Sequence, residues 1–262
     1  NDGAGSFSDS GQSLGDSTRR AVALGDLDGD GDLDAFVGNY SSEPNKVWLN
    51  NGSGNFSDSG QSLGQASTLS VALGDLDGDG DLDAFAGNFH SPNKVWLNDG
   101  TGTFIDNGQS LSDYSQEVAL GDVDGDGDLD AVIAKAKFGG GYAPEPNEVW
   151  LNDGQGNFID SNQRLGEAPT KAVALGDVDG DGDLDAYFGN YSYTNQAKRA
   201  DRVWLNDGLG NFSDSGQRLG DSETSAVELG DVDGDGDLDA VVARKFPIRS
   251  PNEVWLNDGQ GN

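Results

Sequence analysis

Apolar residues recur along the chain in short runs that are rich in β-branched and aromatic side chains. Clusters of Gly, Asn, Asp and Pro separate the runs, a pattern that is typical of strands and turns rather than helices. In the first stretch of about 50 residues the pattern predicts four strands, at residues 21–26, 33–40, 45–50 and 56–63. The hydrophobic pattern therefore predicts an all-β chain.

The same pattern repeats five times. The string Gly-Asp-(Leu/Val)-Asp-Gly-Asp-Gly-Asp-Leu-Asp-Ala begins at Gly25, Gly74, Gly121, Gly176 and Gly230, with spacings of 49, 47, 55 and 54 residues. Four antiparallel strands in such a length are the size of one propeller blade. We therefore expect residues 1–262 to form a single five-bladed β-propeller domain of four-stranded antiparallel blades. A linear β-solenoid is the alternative, although its repeats are usually much shorter.

The two ends of the chain carry matching sequences. The last six residues match the first six in four positions, and the fifth repeat has three predicted strands, whereas residues 7–14 predict a fourth strand with no blade before it. This predicts that the N-terminal strand closes the ring by pairing beside residues 254–257, which would remove two open sheet edges. A closed ring would be a monomer. The alternative is that the five repeats are part of a larger ring.

The Asp-rich string is the candidate metal site. With Asp26 as position 1, carboxylates follow at positions 3, 5, 7 and 9, and Gly29 and Gly31 allow a tight turn. Oxygen ligands at alternate positions, with a backbone carbonyl at position 7, suit Ca²⁺. An EF-hand would need Glu at position 12 and flanking helices, but Val37 stands there and the flanks are predicted strands. Solvated acidic turns are the alternative, yet clustered carboxylates repel one another strongly without a cation.

We therefore predict about five calcium ions, one per blade. The predicted metal residues are Asp26, Asp28, Asp30, Asp32 and Asp34; Asp75, Asp77, Asp79, Asp81 and Asp83; Asp122, Asp124, Asp126, Asp128 and Asp130; Asp177, Asp179, Asp181, Asp183 and Asp185; and Asp231, Asp233, Asp235, Asp237 and Asp239.

This string, in five copies at blade spacing, resembles the FG-GAP/VCBS repeats of integrin-α-type calcium-binding β-propellers. The resemblance covers nearly the whole chain and implies that four Asp side chains and the position-7 carbonyl of each loop coordinate Ca²⁺. Members of that family serve in adhesion, as fungal sugar-binding lectins and as modules of bacterial surface proteins, so the fold alone does not define a ligand. Those propellers commonly have seven blades, and five is a departure.

Composition excludes several functional classes. The 262 residues contain 47 acidic and 15 basic side chains, for a net charge of −32, which disfavours nucleic-acid binding. The absence of Cys excludes disulfides and thiol nucleophiles. No apolar run is long enough to span a bilayer and the first residues do not resemble a signal peptide, so we expect a soluble mature or excised segment without membrane insertion. An apolar fraction of 34% is typical of disorder, but the ordered repeat argues against it.

The connections between the second and third strands of each repeat vary in length and chemistry, so they form a candidate recognition face. They occupy residues 40–45, 89–93, 135–147, 191–202 and 244–252. Ten of the fifteen basic residues lie in or beside them, namely Lys46, Lys94, Lys135, Lys137, Lys198, Arg199, Arg202, Arg244, Lys245 and Arg249. Aromatic residues and the one His join them, namely Tyr40, Phe89, His90, Phe138, Tyr142, Tyr191, Tyr193 and Phe246. Sequence drift with solubilising charges is the alternative.

Two residue types recur once per repeat outside the Asp loops. The Trp residues are Trp48, Trp96, Trp150, Trp204 and Trp255. We interpret them as blade-to-blade packing residues, with sugar stacking as the alternative. The Gln residues are Gln12, Gln61, Gln109, Gln163 and Gln217, which we interpret as structural hydrogen-bonding groups.

The sequence favours a binding module over an enzyme. The paired carboxylates all lie in predicted metal loops, and no nucleophile, phosphate-binding or metalloprotease motif is present. One hypothesis is a non-catalytic binding or adhesion module that recognises a glycan or a cell-surface protein. The alternative is a structural or display unit of a larger surface protein, with no ligand of its own. Loops without the bidentate Glu should bind Ca²⁺ weakly, as extracellular modules do, which predicts an extracellular or cell-surface location.

Overall fold

The computed structural model describes residues 5–16, 18–137, 145–191, 200–246 and 251–261. Their regular elements are nineteen β-strands in five antiparallel sheets, one sheet per repeat. In the part of the chain described, there is no helix of the length and apolarity needed to cross a membrane. The predicted all-β class and the five repeated sheets are therefore confirmed.

Each sheet is an antiparallel meander that we call a blade. Blade 1 contains β1 (Arg19–Gly25), β2 (Asp34–Asn39), β3 (Lys46–Asn50) and β4 (Phe56–Asp58). Blade 2 contains β5 (Ser67–Gly74), β6 (Asp83–Phe89), β7 (Lys94–Asn98) and β8 (Phe104–Asp106). Blade 3 contains β9 (Ser115–Gly121), β10 (Asp130–Lys135), β11 (Asn147–Asn152) and β12 (Phe158–Leu165). Blade 4 contains β13 (Thr170–Gly176), β14 (Asp185–Asn190), β15 (Arg202–Asn206) and β16 (Phe212–Asp214). Blade 5 contains β17 (Glu223–Gly230), β18 (Asp239–Phe246) and β19 (Glu253–Trp255).

The fourth strand of most blades is shorter than the sequence predicts. In blade 1 it ends at Asp58, whose Oδ1 accepts the N–H of Gly60 at 2.8 Å; Gly60 then turns the chain with φ of +83°. The chain returns to the sheet at Leu63, which forms an isolated bridge with Asn45. In blade 3 Asn162 occupies the same place with φ of +62° and donates its N–H to Asp160 Oδ1 at 2.8 Å, yet β12 continues through Leu165.

The hydrophobic core lies between successive blades. The second strand of each of blades 1–4 is almost wholly buried, since it packs against neighbours on both faces. Between blades 2 and 3, the rings of Phe85 and Phe158 meet edge to face at 5.3 Å, and Trp150 packs in the same cluster as Leu111 of the preceding blade. The other three interfaces repeat the Leu–Trp arrangement, so the structure places four of the five Trp residues in blade-to-blade packing.

Side-chain amides add polar links between blades. At the first interface, Asn98 Nδ2 donates to Leu27 O at 2.8 Å and Gln61 Nε2 donates to Gly102 O at 2.6 Å. Gln61 Oε1 also accepts the N–H of Phe104 at 2.8 Å. The Asn link recurs in Asn152–Leu76, Asn206–Val123 and Asn257–Val178. The recurring Gln residues therefore have the structural role that the sequence predicts.

The five blades form an open arc rather than the closed ring predicted from the sequence. The first strands pack in series from β1 through β5, β9 and β13 to β17, and no comparable packing joins β17 to β1 among the described strands. Residues 5–16 form no strand, and the sheet of blade 5 has three strands. Gln12 instead holds this segment on blade 1 through Gly54 O at 2.6 Å and the N–H of Phe56 at 2.8 Å.

Candidate metal sites and binding face

The Asp-rich string of each repeat forms the tight loop between the first and second strands. In blade 1 the Asp26 carboxylate accepts the N–H groups of Gly29 at 2.9 Å and Gly31 at 3.0 Å. Both glycines have positive φ, +75° and +90°, which side chains with a Cβ rarely adopt. The same pair of hydrogen bonds forms in the other four blades. The repeated sequence thus builds five equivalent loops.

The carboxylate at position 9 anchors the loop to the sheet. Asp34 is fully buried, and its Oδ2 accepts the N–H of Leu27 at 3.0 Å while its Oδ1 accepts the N–H of Asn50 at 2.7 Å. Equivalent bonds fix the position-9 carboxylate of the other four blades. This residue is therefore held in place before any ion binds.

The structure brings together the carboxylates at positions 1, 3 and 9. In each loop one oxygen from each of the three lies within 4.8 Å of the others. The five triads are Asp26, Asp28 and Asp34; Asp75, Asp77 and Asp83; Asp122, Asp124 and Asp130; Asp177, Asp179 and Asp185; and Asp231, Asp233 and Asp239.

The other two acidic positions lie outside these triads. At position 5, Asp30 Oδ1 accepts the N–H of Asp32 at 2.9 Å. At position 7 the Asp32 side chain lies beside the turn after β3, since a Cβ at Gly52 would be 2.5 Å from Asp32 Oδ2. Coordination by the position-7 carbonyl and by the position-5 side chain stays a prediction.

Clustering changes the acidity of these carboxyl groups. Burial raises the pKa of Asp83, Asp130 and Asp185, at position 9, to about 6. Burial and neighbouring Asp charges also raise the pKa of the position-3 carboxyls in all five blades. At the open end of blade 5, hydrogen bonds from the N–H groups of Asn257 and Val232 lower the pKa of Asp239.

The triads fit a hard divalent cation. The Oδ1 atoms of Asp77 and Asp179 are buried and have no hydrogen-bond partner, which is costly unless a cation binds them. The convergent groups are carboxylate oxygens, the ligand type that Ca²⁺ prefers in proteins. The side chains at positions 1, 3 and 9 of each loop would hold such an ion.

The predicted recognition face is described in part. Phe138, Tyr142, Tyr193, Lys198, Arg199 and Arg249 lie outside the described residues, as does the side chain of Phe246. Where the structure describes this face, three basic side chains form ion pairs with acidic residues of the fourth strand of their own blade: Lys46–Asp58 at 3.3 Å, Lys94–Asp106 at 3.0 Å and Arg202–Asp214 at 3.0 Å. These three charges are therefore partly neutralised within the blade.

Two further basic residues of this face are buried in ion pairs. Lys135 Nζ lies 2.6 Å from Glu148 Oε1 in blade 3. In blade 5, Arg244 contacts Glu253 at 2.6 Å and Asp201 of blade 4 at 2.8 Å, and the Arg244 and Asp201 side chains are fully buried. Lys135 and Arg244 are thus structural rather than exposed recognition groups, which corrects the reading from sequence. Sequence reasoning missed this because the acidic partners lie on other strands.

An aromatic cluster is also present on this face. The His90 ring lies 3.9 Å from the Phe89 ring and 4.9 Å from the Tyr114 ring, and Lys137 Nζ lies 4.6 Å above Tyr114. The sequence pattern does not single out Tyr114, because this residue lies before β9 rather than in a connection between the second and third strands. The feature of the sequence that could have identified Tyr114 is its position directly before the first strand of blade 3.

Grooves between blades open on the same side. A groove of about 250 Å³ between blades 1 and 2 is lined by residues that include Leu63, Asn88, Lys94, Trp96 and Asp106. Trp96 is only 7% exposed, so its ring mainly packs against protein. Polar side chains of the groove therefore lie beside the mostly buried Trp96 ring.

Comparisons with known proteins agree with the repeat and the fold. The profile of a family described as FG-GAP-like repeat matches residues 26–86, 75–133, 136–188 and 191–242. A search of curated protein sequences finds no match. Among solved structures, the crystal structure of the V. cholerae biofilm matrix protein Bap1 is similar with a TM-score of 0.51 and 19% identity, over 86% of this chain and 35% of that one. The computationally designed Ika8 protein is similar with a TM-score of 0.51 and 16% identity, over 90% of this chain and 70% of that one.

At these identities the two structures bear on the fold alone. The present chain spans about a third of the Bap1 chain.

Proposed function

Because the chain belongs to the FG-GAP-like repeat family, we propose that it is a calcium-binding, non-catalytic module that binds other molecules outside the cell or at its surface. The observation that carries the calcium proposal is the set of five carboxylate triads, each within 4.8 Å and each on an identically built loop. Two carboxylates so close repel each other by about 4 kcal/mol at an effective dielectric constant of about 20. A divalent cation in each loop would convert that repulsion into attraction.

In this proposal each residue of the loop has a distinct task. The position-9 carboxylate, held by two backbone N–H groups, offers a fixed ligand, and the position-1 carboxylate shapes the turn through Gly29 and Gly31. The position-3 carboxylate completes the triad, and the position-5 side chain and position-7 carbonyl are the further ligands predicted from sequence. The ion, when bound, supplies positive charge that rigidifies the loop.

Elemental analysis and thermal unfolding test this proposal. The purified chain should contain about five equivalents of calcium, and EDTA should lower its melting temperature by tens of degrees, because ligands that bind only the native state stabilise it. Asp77→Asn keeps the shape of one ligand and removes its charge, so it should lose about one equivalent. Asp221→Asn, at an exposed residue outside the triads, is the control and should lose none. Finding no calcium, or melting unchanged by EDTA, would overturn the calcium proposal.

Recognition would occur on the face that carries the strand 2–3 connections and the inter-blade grooves. The variable loops, the aromatic cluster around His90 and the groove beside Trp96 support a glycan or a cell-surface protein as ligand. The fold similarity to a biofilm matrix protein supports an extracellular or surface location. We further propose that the chain has no catalytic activity, because the carboxylate triads found among the described residues all belong to the repeated loops.

A glycan array distinguishes this binding role from its alternative. Binding that appears with calcium and disappears with EDTA would support lectin-like recognition, and His90→Ala should weaken it if the aromatic cluster takes part. An absence of glycan and surface-protein binding would favour a structural or display unit without a ligand. Calcium affinity measured by calorimetry tests the location, because nanomolar sites would be filled in the cytosol and would argue against an extracellular role.

A further inference from the structure

One Asn at the end of strand 3 connects the metal loops of neighbouring blades. In blade 2 this residue is Asn98, which ends β7 and is buried. Its backbone N–H donates at 2.7 Å to Oδ1 of Asp83, the position-9 carboxylate of its own loop. Its side-chain Nδ2 donates at 2.8 Å to the carbonyl oxygen of Leu27, in the loop of blade 1. Asn98 therefore contacts both loops.

The hydrogen bonds continue to the position-9 carboxylate of the preceding loop. The N–H of Leu27 donates to Asp34 Oδ2 at 3.0 Å. Leu27 thus offers its carbonyl to the Asn of blade 2 and its N–H to the carboxylate of blade 1. Three hydrogen bonds, through Leu27 and Asn98, therefore join the position-9 carboxylates of the two blades.

The same three hydrogen bonds occur at each of the other joints. The side-chain amide donates to the preceding loop in Asn152–Leu76, Asn206–Val123 and Asn257–Val178, at 2.8, 2.7 and 2.6 Å. The backbone N–H of the same Asn donates to the position-9 carboxylate of its own loop in Asn152–Asp130, Asn206–Asp185 and Asn257–Asp239, at 2.8, 2.8 and 2.9 Å. The N–H of the contacted loop residue donates to its own position-9 carboxylate in Leu76–Asp83, Val123–Asp130 and Val178–Asp185. The hydrogen bonds thus run from the first loop to the fifth without a break.

The turn after strand 3 makes a second contact between neighbouring loops. In blade 2, a Cβ at Gly102 of this turn would lie 3.4 Å from the Cβ of Asp28, at position 3 of the blade 1 loop. Likewise, a Cβ at Gly29 of that loop would lie 3.4 Å from Gly100 O of the turn. On its other side the turn lies against the side chain of Asp81, at position 7 of its own loop. The turn is therefore packed between two loops.

We propose that calcium binds cooperatively to the loops of neighbouring blades, and that the Asn at the end of strand 3 couples them. This inference rests on the proposed function, because it requires an ion in each loop. An ion bound by the Asp34 triad would order the loop around Leu27 and so fix the acceptor of Asn98. Asn98 in turn fixes the position-9 carboxylate of the next loop, which then loses less conformational entropy when its own ion binds. Asn98 and its counterparts are positioning residues, since they lie outside the triads.

The charges of the ions oppose this coupling. An ion in one loop reduces the negative potential that attracts an ion to the next loop. Salt screens this effect over about 8 Å at 0.15 M ionic strength, whereas interactions between buried groups are screened much less. Cooperative binding should therefore be clear at moderate salt and should persist when NaCl is added.

Equilibrium dialysis at 0.15 M NaCl tests the proposal, at a temperature where circular dichroism shows that the calcium-free chain is folded. The number of bound ions is measured at each concentration of free calcium. Binding should rise to about five ions with a Hill coefficient clearly above one, because coupling between sites typically changes affinity by about 5-fold or more. A Hill coefficient of one or less at full occupancy would overturn this inference and leave the proposed function intact. An absence of bound calcium would overturn both.

Two Asn variants test the coupling residue. Asn152→Ala removes the link between blades 2 and 3, together with a hydrogen bond to Leu129 O of its own loop at 3.2 Å. Asn50→Ala is the matched control, because Asn50 Nδ2 makes the same bond within its own loop, to Leu33 O at 3.1 Å, and no bond to another loop among the described residues. Asn152→Ala should lower the Hill coefficient while about five ions still bind at saturating calcium. Asn50→Ala should leave the Hill coefficient unchanged, and equal coefficients in the two variants would overturn the role of the Asn.

Hydrogen–deuterium exchange gives a test that leaves every Asn link in place. Asp124→Asn removes one ligand charge from the loop of blade 3. In sub-saturating calcium, amide exchange should rise by about 5-fold or more in the loops of blades 2 and 4, and little in the loop of blade 1. Peptides that extend into the first strands identify each loop, because those strands differ in sequence. An equal rise in all loops, or a rise confined to blade 3, would overturn the proposal.

Discussion

At the scale of single residues, one Gln per repeat ties each sheet to the next. Gln61 uses both atoms of its amide, donating to Gly102 O and accepting from the N–H of Phe104. Gln109 and Gln163 accept in the same way from Phe158 and Phe212. Such a side chain satisfies backbone groups that the edge strand of the next blade leaves unpaired.

Gln61→Ala should therefore destabilise the fold by about 1–3 kcal/mol, because it leaves a partly buried N–H without its acceptor. Gln12→Ala is the matched control: Gln12 makes the same two hydrogen bonds, but in an exposed place at the open end. Its effect should be clearly smaller. Urea unfolding in calcium measures both, and equal losses would contradict the role assigned to inter-blade burial.

The raised pKa values of three position-9 carboxyls predict a pH dependence for the calcium-free protein. The folded-state pKa of Asp83, Asp130 and Asp185 is about 6, above the ordinary value of 3.8. A raised folded pKa gives a stabilisation that is complete below the unfolded value and is lost as pH rises through about 6. The melting temperature in EDTA should thus increase as pH falls from about 7 to about 5. In excess calcium the same change should not stabilise the protein, because protons compete with the ion.

At the scale of the strand pair, the blades use two arrangements at the end of strand 2 and the start of strand 3. In blades 1, 2 and 4, Asn lies near the end of strand 2 and a basic residue begins strand 3, such as Asn88 with Lys94. In blades 3 and 5, a basic residue lies near the end of strand 2 and Glu lies near the start of strand 3, as in Lys135 with Glu148. Either choice supplies one positive charge, but only the second buries it.

Breaking the buried pair should be costly. Glu148→Gln keeps an acceptor for Trp150 Nε1 but leaves the Lys135 charge without its counterion, for an expected loss of about 3–5 kcal/mol. The double variant Lys135→Asn/Glu148→Lys recreates the arrangement of blade 2 and should recover most of that loss. Chemical unfolding of the single and double variants measures the coupling, and simple additivity would contradict it.

At the scale of the whole molecule, the sequence predicts the repeat number, the strand order and the five Asp-rich loops, in each of which three carboxylates converge. These follow from local periodicity, which fixes each blade separately. The closed ring was not found, because packing between blades depends on contacts such as Gly25 against Leu82, which no local pattern contains. The buried pairing of Arg244 was equally hidden, because its partner Asp201 is 43 residues away on another blade.

The net charge of −32 predicts that the calcium-free fold depends on salt. Screening shortens from about 30 Å at 0.01 M to about 8 Å at 0.15 M ionic strength, so repulsion between loops and between blades weakens. The melting temperature in EDTA should rise with added NaCl, whereas the calcium-loaded protein should respond less. Scanning fluorimetry in both states checks this, and an equal response to salt would contradict the electrostatic account.

The buried contact between Arg244 and Asp201 also bears on the order in which the blades assemble. Blades with nearly the same sequence can dock on the wrong neighbour during folding, a known failure of repeat proteins. In blades 1, 2 and 3 the residue at the place of Asp201 is Asn45, Asn93 or Asn147. If blade 5 docked on one of these, the Arg244 side chain would lose the acid that neighbouring blade 4 provides, and a buried charge would lose one of its partners. The presence of Asp201 where blades 1–3 have Asn thus favours blade 4 as the neighbour of blade 5. Docking of blade 5 on another blade would be disfavoured, so the blades should assemble in the correct order.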